Sequence, residues 1–369
     1  AKTSGAAAVC LNNITSSVKV ADNKLTASKQ YGVYTTSAIA DITGNVIDAS
    51  ALTGIYIKGG SGLKVTGNNI TGNKGGSGIY LVENAYYEGK TNWEEYNNEI
   101  LRIKFVLNKM IDDRNLRQYK TAGNWAVFTY MSDSIPENNF KPYLYDFENF
   151  MSDSDRESYM VSRLLKTKKG NCRALPYLYK ILADEVGVEA FIAIAPMHCY
   201  VKHRDEQGNW WNLEMTTGSF SRSSFIMETF NVSEVAIKSG LFMKPLSTIE
   251  SVAYCIYDLL GYYEDKTGRY SDDFVKRCYE IGLQYYPNSQ LQIIKLNDLQ
   301  FRLSNKMIKK GMKNYSEIVN YPELMKEFEI MNTTSKYLSE IGYTTMRNED
   351  YEKMVHDVKN KQTKLNSKK

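Results

Sequence analysis

Near the start of the chain a short signature returns at almost constant intervals. Asp22-Asn23-Lys24-Leu25, Gly44-Asn45-Val46-Ile47 and Gly67-Asn68-Asn69-Ile70 place their asparagines 22 and 23 residues apart. A second signature, Gly32-Val33-Tyr34, Gly54-Ile55-Tyr56 and Gly78-Ile79-Tyr80, keeps step with the first. One copy of so short a unit cannot bury its own apolar side chains, so such a chain must stack each copy on the next. The runs between the Asn and Gly positions are short and β-branched, which suits strands and excludes long helices. The expectation is a coil of parallel strands with the asparagines in register at one corner. The alternatives are a piece of a β-sandwich or a polar, disordered tract.

The stacked asparagines and the period make residues 1–85 resemble a right-handed parallel β-helix. Three rungs are visible, and Cys10-Leu11-Asn12-Asn13-Ile14 reads as a degenerate fourth. The resemblance implies glycan or protein contacts and a secreted or periplasmic setting. The segment has few carboxylates and no histidine, so scaffold or adhesion is expected here rather than catalysis. With no cap in front of Ala1, the coil is expected to begin inside a longer solenoid.

After Ala85 the composition changes to charged and aromatic residues, and helical periodicity replaces the repeat. The formal net charge of +4 is too small and scattered for a nucleic-acid footprint. No stretch is long enough and apolar enough to span a membrane. The five cysteines show no CxxC spacing, so neither a disulfide framework nor a zinc site is expected, and no cofactor is called for. A Thr91-Asn92-Trp93-Glu94 start predicts a helix to about Asp113, and a second is expected near 123–131.

The chemistry concentrates between Lys169 and Thr216. Leu175, Leu178, Tyr179, Leu182 and Val186 recur at helical spacing, and Pro176 is tolerable only in a first turn. Cys172 therefore sits at a helix start, where backbone N–H groups and the helix dipole favour its thiolate. A buried strand over Val188–Ala195 and a hairpin around Asp205–Asn209 follow. Pairing Lys202 with Trp210 would set His198 opposite Glu214, and a slip of two would leave them diagonal neighbours on one face. Nucleophile, base and orienting carboxylate are the roles this order suggests. Taken singly, each has a plain structural reading: a buried cysteine, a hydrogen-bonded core histidine, an exposed hairpin carboxylate.

Asn171-Cys172 opening a helix, then Pro196-Met197-His198-Cys199-Tyr200-Val201, then Trp210 through Glu214 to Thr216, resembles the core of the transglutaminase-like, papain-related superfamily. The resemblance spans roughly 159–225. It implies an α+β domain over 86–230, a protein or peptide substrate, and Cys172, His198 and Glu214 as catalytic residues. Glu214 stands where the family usually has Asp. His203, of opposite parity to His198, and His356, in the polar tail, are expected on the surface. Of the adjacent Trp210 and Trp211, one is expected in the core.

Residues 231–369 are helical by pattern, with a capping box at Ser247-Thr248-Ile249-Glu250 and a helix capped by Ser271 and ended before Pro287. The junction at Tyr285–Asn288 resembles that of tetratricopeptide-type repeats. This all-α region is expected to stand apart from the triad, with the tail from Asn348 a solvated helix that frays. The fold class expected is thus multidomain: β-helix rungs, an α+β papain-like domain, then helices. Two function classes remain open: cysteine-dependent acyl chemistry on amides or esters, and a binding or scaffold module that keeps the fold without the reaction.

Overall fold

The computed structural model of the chain describes residues 7–12, 17–26, 31–36, 40–48, 53–58, 64–66, 69–71, 79, 82–83, 85–151 and 156–366. The chain divides into two compact units, Ala1–Ser77 and Gly78–Lys369. The first boundary thus falls somewhat before the one the composition suggested.

The first unit is the expected coil. β1 (Ala7–Asn12), β4 (Tyr31–Thr36) and β7 (Thr53–Lys58) stack in parallel, as do β2 (Val18–Ala21), β5 (Ala40–Thr43) and β8 (Lys64–Thr66). The third face is β3 (Lys24–Thr26), β6 (Val46–Asp48) and β9 (Asn69–Thr71). Leu25 pairs with Ile47 and Ile47 with Ile70, so the sequence period is the height of one rung. Val20, Leu25, Val33, Ala40 and Ile42 fill the interior. At the corner Asn45 is fully buried and its Oδ1 accepts from both the backbone N–H and the Nδ2 of Asn23, at 3.1 and 3.0 Å. Its own Nδ2 donates to the carbonyls of Val20 and Thr43. Asn68, the third asparagine of the ladder, lies outside the described residues. Two expectations change. Cys10, Leu11 and Asn12 belong to β1, the first strand of the first described rung, and not to a separate fourth turn, while Asn13 and Ile14 lie outside the described residues. Of the last Gly-Ile-Tyr copy only Ile79 is among the described residues, and it is helical and buried in the core of the second unit.

In the second unit α1 (Trp93–Asp113), α2 (Ala122–Ser132) and α3 (Val161–Thr167) pack with α4 (Ala174–Val186), and α4 in turn packs on a four-stranded antiparallel sheet. The sheet is β12 (Phe191–Ala195), β13 (His198–Arg204), β14 (Trp210–Glu214) and β15 (Ser219–Ser221), in that order. A short parallel pair, β10 (Leu144–Tyr145) and β11 (Lys169–Gly170), leads into the cysteine turn. The helix start at 93 is capped by Asn92, whose side chain accepts from Glu94 and Glu95, one residue later than the expected Thr91. β12 begins at Phe191 because α4 ends on Gly187 in the left-handed region, with the Val188 N–H turned back to the Ala183 carbonyl.

Then α5 (Ser223–Thr229), α6 (Glu234–Lys238), α7 (Thr248–Thr267), α8 (Asp273–Tyr285), α9 (Leu291–Lys309), α10 (Pro322–Glu340) and α11 (Asn348–Asn366) complete the chain as the expected helical region. The Ser247 capping box is present, while Asp272 rather than Ser271 caps α8. The expected separation of these helices from the triad is not what is found. One apolar core runs from Ile79 to Val355, and the segment before α7 lies along the free edge of β12, where Met243 and Leu246 donate to the carbonyls of Ile194 and Ile192. The free backbone groups of an edge strand are a natural place for such a segment to dock.

Candidate active site

Asn171 shapes the turn that carries Cys172. Its backbone N–H donates to the Ser158 carbonyl, and its Oδ1 accepts from Arg173 and Ala174, closing the first turn of α4. Cys172 sits in that turn, 5 % exposed, and its own N–H donates to no protein group among the described residues. Arg173 turns away from the thiol into a buried ion pair with Asp258 of α7, which also accepts from the Tyr177 hydroxyl. Tyr254 and Tyr257 of the same helix face the guanidinium. The helical region thus helps to hold the turn that carries the cysteine.

His198 opens β13 directly after a two-residue connection, since Ala195 pairs with His198. Pro196 fixes one torsion of that turn, and Met197 takes φ +57°, a left-handed conformation costing a non-glycine residue roughly 1–3 kcal/mol. The turn brings the Met197 carbonyl to 3.8 Å from the Cys172 Sγ. Strain is held here, beside the thiol.

Glu214 reaches the histidine through the slipped register. Lys202 pairs with Asn212 and Arg204 with Trp210, so the Lys202–Trp210 pairing expected from the sequence is off by two. The cause is the Asp205 carboxylate: it accepts from the N–H groups of Gln207 and Asn209 and from the Asn209 and Trp211 side chains, closing the loop at 205–209. Glu214 is therefore the diagonal neighbour of His198 on the same face. Its extra methylene spans the diagonal, and its Oε2 lies 2.6 Å from His198 Nε2. The other oxygen, Oε1, accepts from the Thr216 hydroxyl at 2.8 Å and N–H at 3.3 Å. Phe230 stacks on the imidazole at 4.4 Å between ring centres, and the planes are 9° apart.

With Nε2 taken, the remaining ring nitrogen is Nδ1, which is buried and makes no well-formed hydrogen bond. The thiol is its titrating neighbour. Burial pushes the Cys172 thiol up, but the imidazole beside it, the Tyr351 hydroxyl and the Arg173 charge outweigh that and hold it below its ordinary value. Burial pulls His198 down, and the Glu214 carboxylate with the thiol more than reverses this, raising it to about 10. Glu214 is held low against burial by the His198 charge and by Thr216. All three shifts favour an ionised thiolate–imidazolium–carboxylate row.

The remaining expectations divide. His356 is exposed, as read. His203 is not a surface residue: it does point away from His198, but it is 7 % exposed, donates from Nδ1 to the Arg204 carbonyl and packs edge-on to Phe220. Neither tryptophan is core, since Trp210 and Trp211 are 44 % and 45 % exposed. Trp210 takes Lys202 and Arg204 over its ring, and Trp211 donates to Asp205. Among the described residues no group of three or more His, Cys, Asp or Glu is arranged to hold a metal ion.

The sequence reading missed Tyr351. Its hydroxyl lies 3.3 Å from the Cys172 Sγ and 3.5 Å from the Tyr145 hydroxyl, and burial holds its own proton on. The tail taken for solvated helix is α11, and Tyr351, Met354, Val355 and Val358 form a stripe on it at i, i+3, i+4 and i+7. That spacing was the available signal, diluted by the charged residues around it.

A family model described as right-handed beta helix region matches residues 2–103. The N-terminal coil is accordingly a right-handed β-helix segment, though the last part of the match runs into α1, where the chain is helical. No curated protein and no solved structure matches the chain.

Proposed function

We propose that residues 78–369 form a cysteine-dependent acyl-transfer enzyme of the transglutaminase-like, papain-related type, acting on amides or esters of proteins or peptides. The observation that carries this is the 2.6 Å contact between His198 Nε2 and Glu214 Oε2, which leaves Nδ1 as the free nitrogen beside a thiol at a helix start. In this reading the Cys172 thiolate attacks the acyl carbon, and the oxyanion is taken up by the unengaged Cys172 N–H. The His198 imidazolium gives its proton to the leaving nitrogen or oxygen, leaving a thioester. Neutral His198 then takes a proton from water or an amine as that group attacks the thioester, and the thiolate is released. Glu214 holds the ring orientation and steadies the imidazolium, with Thr216 holding Glu214. The finer likeness of α8 and α9 to tetratricopeptide repeats belongs to the same proposal, as a protein-contacting accessory.

A second reading is favoured by one observation, the near-complete burial of Cys172: a binding module that keeps the fold but not the reaction. Exposure to a small activated ester separates the two. The enzyme reading expects an acyl adduct on Cys172 by peptide mass spectrometry, absent after Cys172→Ala and discharged faster when a primary amine is added if the acceptor is an amine. Adducts spread over the other cysteines, with Cys172 no faster than they are, would leave the binding module as the better reading.

A further inference from the structure

Two cavities flank the triad. One, of about 520 Å³, is lined by His198 and Glu214 on one wall and by Phe147, Phe220, Phe225 and Phe230 around it. The other, of about 280 Å³, opens on Cys172, Met197 and Tyr159. Both are bounded by Tyr351, so a single ring stands between the histidine side and the cysteine side of one site. The larger falls within the size range of ligand pockets, and the smaller lies just below it.

A carbonyl carbon about to be attacked must approach its nucleophile to about 3–3.5 Å. The Tyr351 hydroxyl is already 3.3 Å from Sγ. An acyl group and this side chain therefore cannot be over the thiol together. The helix that carries Tyr351 is thinly attached: of residues 348–360 only Tyr351 and Val355 are buried, with Met354, Val358 and Lys359 half-buried and the others exposed. Met354, Val355 and Val358 line the phenylalanine-walled cavity. Beyond the stripe, Lys359 meets Glu148 in a partly exposed ion pair, a kind that contributes little. The residues leading into α11, 342–347, are half-buried or exposed and carry no helix or strand.

We infer that α11 is an internal occupant of the substrate cleft, closing the site with Tyr351, and that the substrate is a polypeptide segment whose apolar stripe takes the places of Tyr351, Met354 and Val355 once the helix is displaced. This rests on the acyl-chemistry reading of Cys172. The charged back of α11 and its apolar front describe what the cleft accepts: an amphipathic segment with an aromatic side chain entering first. A substrate of free amino acids or glycans has no counterpart for this stripe.

The test uses the full chain. The rate of Cys172 alkylation by iodoacetamide at pH 7 is followed by site-resolved mass spectrometry, together with amide exchange of residues 349–360. Met354→Asp with Val355→Asp breaks the stripe away from the thiol and is expected to raise both the exchange and the alkylation rate, the latter about tenfold or more. Tyr351→Phe keeps the ring over the thiol and removes only the hydroxyl that helps to hold it low, so exchange of 349–360 should stay at the wild-type level and alkylation should not rise above it. Adding a synthetic peptide of residues 348–360 to the double variant should slow alkylation again, and the same peptide with Tyr351→Ala should not. A triple variant that adds Tyr351→Ala removes the ring itself, so an alkylation rate equal to wild type there overturns the closure however the helix behaves. A thiol that is already fast at pH 7 in wild type and unaltered in the triple variant removes the closure and leaves the acyl chemistry standing. A thiol that opens tenfold but reacts only near the free-thiol pH keeps the closure and removes the chemistry.

Discussion

The coil and the triad were built by opposite strategies. In the first unit the paired strands join each described residue to its counterpart one rung away, as Leu25 to Ile47 and Ile47 to Ile70. In the second unit the groups that meet at one thiol come from Cys172, His198, Glu214 and Tyr351, the last 179 positions from the first. A repeat announces its contacts by its period, because partner and spacing are the same fact. An assembled site hides its members in unrelated stretches. The difference also sets what breaks each: the coil fails by cavities and lost ladders, the triad by lost charge.

The largest expected effect is on the coil side. Ile42 is fully buried between rungs and packed against Val20 and Val33. Ile42→Ala should cost about 2–5 kcal/mol of unfolding free energy, because the three described rungs offer few neighbours to collapse into the cavity. Chemical denaturation followed by amide exchange within 7–71 reads it. A cost under about 1 kcal/mol would mean the interior is loosely packed, and the contrast with the second unit would lose its basis.

On the triad side His198→Ala should slow Cys172 alkylation at pH 6–7 by about a hundredfold, because the thiol loses the imidazolium that keeps it ionised. The sign follows from the causes. Burial alone raises the thiol, and the imidazolium is what brings it down, so removing the ring leaves a buried cysteine above its ordinary range. Wild type should react from below the usual thiol value, and the imidazolium should persist until about pH 10. The His198–Glu214 pair should also stabilise the fold in the same window. Its contribution from His198 is full below the histidine's unfolded value near 6.5 and is lost as pH rises through about 10. The contribution from Glu214 is lost as pH falls through its depressed value. Denaturation midpoints for wild type and Glu214→Gln across pH 3–10 check this, and coincident curves would remove the pair.

The two regions also differ in how a polar side chain earns its burial. Asn45→Leu would strand the Asn23 donors and the Val20 carbonyl at the corner of the coil and should cost about 1–3 kcal/mol. Denaturation of Asn45→Leu beside Asn45→Asp checks whether hydrogen bonding, rather than volume, is responsible. If Leu is as stable as Asn, the ladder is packing and not hydrogen bonds.

What the sequence made legible follows the same division. The rungs, their register and the Asn23–Asn45 corner were readable because the period states the partner. The order helix, strand, strand carrying Cys172, His198 and Glu214 was readable because each lies in a strongly patterned element. The pairing of β13 with β14 was misread by two because it is decided by how tightly Asp205 closes a five-residue loop, a hydrogen-bond matter that periodicity does not record. Tyr351 was missed because four apolar residues in a charged helix look like noise unless their burial partner is known. Trp210 and Trp211 were misjudged because alternation says which face a side chain takes, not whether anything covers that face.

The smallest effect sharpens the comparison most finely. Thr216 follows Glu214 by two residues and is bound to its carboxylate. It holds Glu214 by a 2.8 Å hydroxyl bond and a longer backbone one. Thr216→Val keeps the shape and the N–H and removes only the hydroxyl, a neutral donor to a charged acceptor in a buried place. The carboxylate should remain ionised and still reach Nε2, so His198 should stay raised and Cys172 alkylation at pH 7 should fall by only about two- to fivefold. Glu214→Gln, by contrast, removes the charge that opposes burial at His198, and there the histidine should fall below its ordinary value. Proton NMR titration of the His198 ring, set beside the alkylation rates, orders the two variants. If Thr216→Val proves as damaging as Glu214→Gln, the carboxylate depends on the hydroxyl to be ionised at all, and the triad would be a four-membered row with Thr216 as its far end.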